Sequence, residues 1–139
     1  MKIMAVDYGE ARTGVAICDH LEMLASPLTV IKEKSTEKAI EKIAEAAVEH
    51  KAELLIVGHP LNMNGTAGER AQKCAQVAEK LKEKLGIPVV LWDERATTKS
   101  AQNILSTTGT YGKKRKDVLD AVAATIILEN YMAYRKNNK

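Results

Sequence analysis

The sequence contains no phenylalanine, and one tryptophan with four tyrosines supplies all of its aromatic surface. A protein that grips bases by stacking them along an aromatic platform is therefore disfavoured. Cysteine is almost as scarce. Cys18 and Cys74 lack any CxxC-type spacing and sit among apolar neighbours, which predicts two buried thiols in place of a disulfide or a zinc site. Long hydrophobic runs are missing too: no apolar stretch approaches the roughly eighteen residues that span a bilayer. The opening "MKIMAVDYGEARTG" reaches an acid after only four apolar residues, unlike a secretory signal. These absences predict a cytoplasmic protein with no membrane partner.

What is present suits one globular domain, residues 1–139, with 45% hydrophobic and 28% charged residues. The net charge of +3 is uninformative, but its distribution is not. Lys113, Lys114, Arg115 and Lys116 form an unbroken basic run, and the tail carries Arg135, Lys136 and Lys139. Such runs are either solvated segments or phosphate contacts.

Hydrophobic periodicity sets the element order. "KIMAVDYG", "TGVAIC" and "LASPLTVI" read as three short strands in an antiparallel meander, with Pro27 placing the third at an edge. From Ser35 or Thr36 as N-cap, Ile40, Ile43, Ala44, Ala47 and Val48 form one helical face. "ELLIVG" reads as a strand buried on both faces. A second helix follows with Ala71, Cys74, Ala78, Leu81 and Leu85 on its inner stripe, stopped by Gly86 before Pro88. "IPVVLWDE" is a fifth strand. A short helix from about Thr98 to Leu105, a loop from Ser106 to Lys116, and the apolar helix "DVLDAVAATIILENYMAY" complete the chain. The expected fold is α/β, a central mixed sheet covered by helices.

Most acids in this chain pair with lysines on helix surfaces. Asp7, Asp93, Glu94 and Asp120 do not. Asp7 ends the first strand, Asp93 and Glu94 end the fifth, and Asp120 interrupts an apolar helix. Asp117, near that helix's start, is adequately explained by capping and the macrodipole, and is a reserve ligand. Carboxylates at C-terminal strand ends converge where sites form in sheets with parallel crossovers. Three hard oxygen ligands, with no histidine or thiol cluster, suit Mg²⁺ or Mn²⁺ and the two-ion hydrolysis of a phosphodiester. Taken singly each acid has a structural explanation: a turn at Asp7, a cap or an ion pair with Arg95 at Asp93 or Glu94, a core hydrogen bond at Asp120. Strand alternation allows only one of Asp93 and Glu94 to point inward easily.

Three further stretches lie at the same edge. Arg12 projects from the glycine-flanked turn "GEARTG" as a phosphate contact or a partner to an acid. "GHPLNMNG" brings Gly58, Pro60, Asn62 and Gly65 where backbone can approach a phosphate, while His59 reads as structural. In "RATT", Arg95 is a phosphate or carboxylate clamp, and Thr97 or Thr98 an N-cap.

In this order, "DYGEARTGVA", "GHPLNMNG", "DERATT" and "DVLDAVAATIILENY" resemble the successive motifs of the YqgF family. Its members are RuvC-like proteins described both as Holliday-junction resolvases and as pre-16S ribosomal RNA nucleases. The resemblance runs from residue 3 to about residue 134. It implies a ribonuclease H-like fold with strand order 3-2-1-4-5 and the first three strands antiparallel. It also implies that Asp7, Glu94 and Asp120 are the catalytic metal ligands, and it favours Glu94 over Asp93. Three departures, His59, Asn64 and Ala96, remove no ligand.

The function expected is a metal-dependent nuclease that processes the 5′ end of precursor 16S ribosomal RNA. Arg12, Asn62, Arg95, Thr97 and the run Lys113, Lys114, Arg115 and Lys116 would contact its substrate. Branched DNA is the alternative substrate, and a non-catalytic RNA-binding factor of ribosome assembly the alternative role. A nucleotide phosphotransferase ranks last, because such enzymes clamp nucleotide between two domains. A monomer or a homodimer is compatible with the sequence.

Overall fold

The computed structural model describes residues 1–94 and 112–137, and of residues 112–119 only the backbone. Its elements are β1 (Ile3–Asp7), β2 (Arg12–Cys18), β3 (Ala25–Lys32), α1 (Thr36–Glu49), β4 (Leu54–His59), α2 (Glu69–Leu85), β5 (Val89–Asp93) and α3 (Gly112–Asn137). The strands form one sheet in the order β3-β2-β1-β4-β5. β1 pairs antiparallel with β2, and β2 with β3, while β1–β4 and β4–β5 are parallel. This is the expected ribonuclease H-like arrangement. Pro27 lies on the edge strand β3, opposite a register shift between Val15 and Ala16. There its missing N–H costs no ladder bond in the sheet interior.

Strand alternation divides the core in two. Met4, Val6, Val15, Leu55 and Val57 face α1 and α2. Ile3, Ala5, Ala16, Leu54 and Ile56 face α3, where Ala124, Ile127, Leu128 and Tyr131 cover them. β4 is buried along both faces, as a strand flanked by helices must be. Trp92 at the end of β5 meets Tyr131 edge-on, with centroids 5.4 Å apart at 88°, which fastens the sheet's far edge to α3.

Local signals account for the helix ends. The Ser35 hydroxyl accepts from Lys38 N at 3.3 Å, and Gly86 closes α2 at φ 69°. Cys18 and Cys74 are both buried free thiols. Two expectations need correction. Val48 is 70% exposed, and Ala39, 1% exposed, takes a place on the inner face instead. Residues 112–116, expected in a loop, are helical, because α3 begins at Gly112. Lysine and arginine are good helix formers, and a basic stretch without apolar period conceals that. The expected short helix from Thr98 to Leu105 lies outside the described residues. Among the described residues, no helix is long and apolar enough to cross a membrane.

Candidate active site

The parity that sorts the core also sorts the acids. Asp7 continues the α3-facing series of Ile3 and Ala5 on β1, and Glu94 continues that of Val90 and Trp92 on β5. Between these strands runs β4, with Gly58 facing the same side. A Cβ built on Gly58 would stand 3.0 Å from Glu94 Oε2 and 2.7 Å from Ile127 Cδ1. The absent side chain is thus the seat of the Glu94 carboxylate, which reaches over β4 toward β1. The backbone beneath it is fixed as well, since Glu94 N donates to His59 O at 3.2 Å. Glu94, not Asp93, is the acid on this face.

A second glycine admits the third acid. Gly14 pairs with Asp7 across β1 and β2, and a Cβ there would overlap the Asp120 carbonyl oxygen. Only a bare α-carbon lets α3 lie this close. Its consequence is that Asp120, half-buried, enters the neighbourhood of Asp7. We expect Gly14→Ala to destabilise the fold by about 1–3 kcal/mol, because the obstacle is helix backbone with no rotamer to yield. Gly58→Ala should cost less, since Ile127 and Glu94 present side-chain ends. Thermal melts of the two variants test this order, and a Gly14→Ala protein as stable as wild type contradicts it.

The electrostatics follow from burying Asp7 and Glu94 near one another, with Asp120 contributing its charge to Asp7. Burial pushes the Asp7 carboxyl up to about 6; the Arg70 guanidinium partly offsets this, and the Asp120 charge adds to it. Burial first, and then the Asp7 charge, push Glu94 up to about 7. Repulsion between Asp7 and Glu94 is thus expressed at Glu94, the weaker acid of the pair. Arg70 Nη2 lies 3.4 Å from Asp7 Oδ1 and 3.5 Å from Tyr8 O. It is the one counter-charge paired with Asp7 among the described residues.

Hard oxygens, mutual repulsion and a glycine seat are what a divalent cation fits. Among the described residues, however, no three of histidine, cysteine, aspartate and glutamate stand close enough to hold an ion together. Asp7 and Glu94 are the assembled pair, and Asp120 is a third charge presented by α3.

The remaining expected site residues divide. Arg12 lines a depression beside Asp120. The Asn62 amide is engaged in its own loop, donating to Thr66 Oγ1 at 2.9 Å, while Gly65 turns the chain at φ 87°. Lys113, Lys114, Arg115 and Lys116 are helical in backbone. Arg95 and Thr97 lie outside the described residues. Arg70 was missed by sequence reasoning. Its signal was a cation in the first turn of a helix, where the macrodipole disfavours positive charge.

Comparison with known proteins agrees with this fold. Residues 1–134 match the family model described as "RuvX: Holliday junction resolvase". A relative from Thermoanaerobacter pseudethanolicus, named "Putative pre-16S rRNA nuclease", is 44% identical, with 99% of each chain covered. One of the same name from Syntrophus aciditrophicus is 42% identical over 95% of this chain and 88% of its own. In fold, the chain resembles T. thermophilus RuvC in complex with a Holliday junction substrate, at TM-score 0.63 and 16% identity, covering 98% and 96% of the two chains. The Fowlpox virus resolvase bound to Holliday junction DNA gives 0.59 at 14% identity, covering 96% and 98%. With the model matched from the first residue to the last helix and close relatives aligned end to end, the chain belongs to the RuvX (YqgF) family.

Proposed function

We propose that this chain is a metal-dependent endonuclease, a phosphodiester hydrolase, whose favoured substrate is precursor 16S ribosomal RNA cut toward its 5′ end. The observation that carries the reading is the Glu94 carboxylate seated over Gly58 and reaching toward Asp7. Two acids facing one another in a partly buried place are a costly arrangement unless a cation joins them. Asp7, Glu94 and Asp120 would hold Mg²⁺ or Mn²⁺. Such ions supply Lewis-acid polarisation of the phosphate and a water made nucleophilic near neutral pH.

The chain's own residues do the rest. The sheet fixes Asp7 at the end of β1 and Glu94 just past the end of β5, on either side of β4, so neither can retreat from the other. Arg70 balances part of the Asp7 charge before substrate arrives. Arg12, Arg95, Asn62, Thr97 and the basic run of Lys113, Lys114, Arg115 and Lys116 are assigned to phosphate and strand contacts. The relatives' name favours RNA, and the family description favours a four-way DNA junction as the second substrate.

The test is cleavage, with Mg²⁺ or Mn²⁺, of three substrates: a 5′-extended 16S precursor fragment, an unstructured RNA, and a synthetic four-way DNA junction. We expect cuts in the precursor that EDTA abolishes. Preference for the junction selects the resolvase, binding of all three without cleavage selects the assembly factor, and cleavage in EDTA defeats the metal reading.

A further inference from the structure

Beside Asp7, on the side of the sheet where α1 and α2 begin, lies an open depression of about 1180 Å³. It is lined by Arg12, Lys34, Arg70 and Lys73, with Tyr8 and Thr36 between them. Arg70 and Lys73 are three apart on α2 and therefore share a face. Lys34 reaches in from the segment between β3 and α1. Lys34 and Lys73 make no ion pair among the described residues, although Glu33 and Lys42 nearby do. Three acids also line the depression: Glu10, Glu69 and Asp120. Glu69 lies in the first turn of α2, where the helix dipole stabilises it, and Asp120 belongs to the carboxylate set. The four cations thus outnumber the three acids by one.

The chemistry of the walls selects the ligand. A cavity this size exceeds the range of about 300–1,000 Å³ typical of small-molecule pockets, which favours a polymer. The one aromatic residue in the lining offers no stacking surface, because Tyr8 is 4% exposed and its hydroxyl shares a 3.0 Å hydrogen bond with Thr36 Oγ1. Cations without stacking rings recognise phosphates and leave bases unread. Arg70 lines this depression and touches Asp7 at 3.4 Å, so a strand lying here runs directly to the carboxylates.

We infer that Lys34, Arg70 and Lys73, with Arg12, form a phosphate track that holds the nucleic-acid strand beside the cleavage centre. The inference rests on the nucleic-acid substrate proposed above. It separates this chain's strand binding from its metal chemistry, because the track needs no ion. It also places the grip on Arg12 of β2, Lys34 just before α1, and Arg70 and Lys73 of α2, residues distinct from the basic stretch at the start of α3.

The test is binding of a fluorescein-labelled single-stranded RNA twelve-mer in EDTA, followed by anisotropy across a salt series. Lys34→Ala/Lys73→Ala is compared with wild type and with Lys80→Ala/Lys84→Ala, which removes two exposed α2 lysines outside the depression. The track variant should bind roughly tenfold more weakly, with a salt slope shallower by about 1.4, from about 0.7 per single-strand phosphate contact. The control should stay near wild type. A Lys34→Gln/Lys73→Gln protein, which keeps the side-chain stems, should show the same loss and guards against a packing defect at Lys73. Equal losses in track and control variants overturn the track while leaving the nuclease reading intact. Failure of wild type to bind at all also overturns the track, and the nuclease reading then stands or falls on the cleavage test above.

Discussion

Asp7→Asn is expected to lower cleavage roughly a thousandfold while making the protein more stable at about pH 8. Substituting even the outer partners of a metal ligand commonly costs about 10- to 100-fold, and replacing a ligand's charged oxygen should cost more. Stability moves the other way because this carboxylate is held in an unfavourable place. Its side chain is 12% exposed and its pKa is raised from 3.8 to about 6. A carboxyl more weakly acidic in the folded state binds its proton more tightly there. Stability therefore falls as pH rises from about 4 through 6, and above that the ionised group costs about 1–3 kcal/mol. Asparagine keeps the shape without the charge, and Arg70, 61% exposed, is free to turn to water. Melts should show the variant ahead near pH 8 and level with wild type near pH 4. A variant that melts lower at pH 8 and still cleaves at the wild-type rate would refute both the strain and the ligand role.

The same residue shows what sequence conveys and what it withholds. Asp7 was legible because an acid closing an apolar strand breaks the hydrophobic pattern, and Asp120 because it interrupts an apolar helix. The sheet order was legible in outline from three strands followed by helices alternating with strands, and the family motifs completed it. Alternation could say that Asp93 and Glu94 face opposite ways but not which face held the site. That depends on Gly58 leaving a seat on β4, a fact about a neighbouring strand 36 positions before Glu94 in no local pattern. Gly14 is similar: in sequence it belongs to a turn motif, and in space it admits the backbone of α3.

The cations were the harder part. Sequence reasoning favours contiguous charge, so it found Lys113 to Lys116 and passed over Lys34, Arg70 and Lys73, which are scattered along the chain and meet only through the packing of α1 and α2 against the sheet. Arg70 could have been found from its place in the first turn of α2, since a helix start is a poor site for an unpartnered cation. The pairing with Asp7 explains why it is there.

Those pairings make pH the second sensitive variable. Cleavage should rise steeply with pH through the interval from about 6 to about 7, where Asp7 and Glu94 lose their protons. Each group holds an ion only as the carboxylate, so below that interval two protons must leave for one active site to form. The logarithm of the rate should then climb with a slope approaching two, about a hundredfold per pH unit, and flatten above about pH 7. The two apparent values belong to the pair, because ionising Asp7 raises Glu94. A cation competes with those protons, so raising Mn²⁺ should move the whole rise to lower pH. That shift distinguishes ligand carboxylates from a general base, whose midpoint is indifferent to metal concentration once the site is full. A profile flat from about pH 5 to 8, or one unmoved by a hundredfold change in Mn²⁺, would show that these two acids do not gate the reaction.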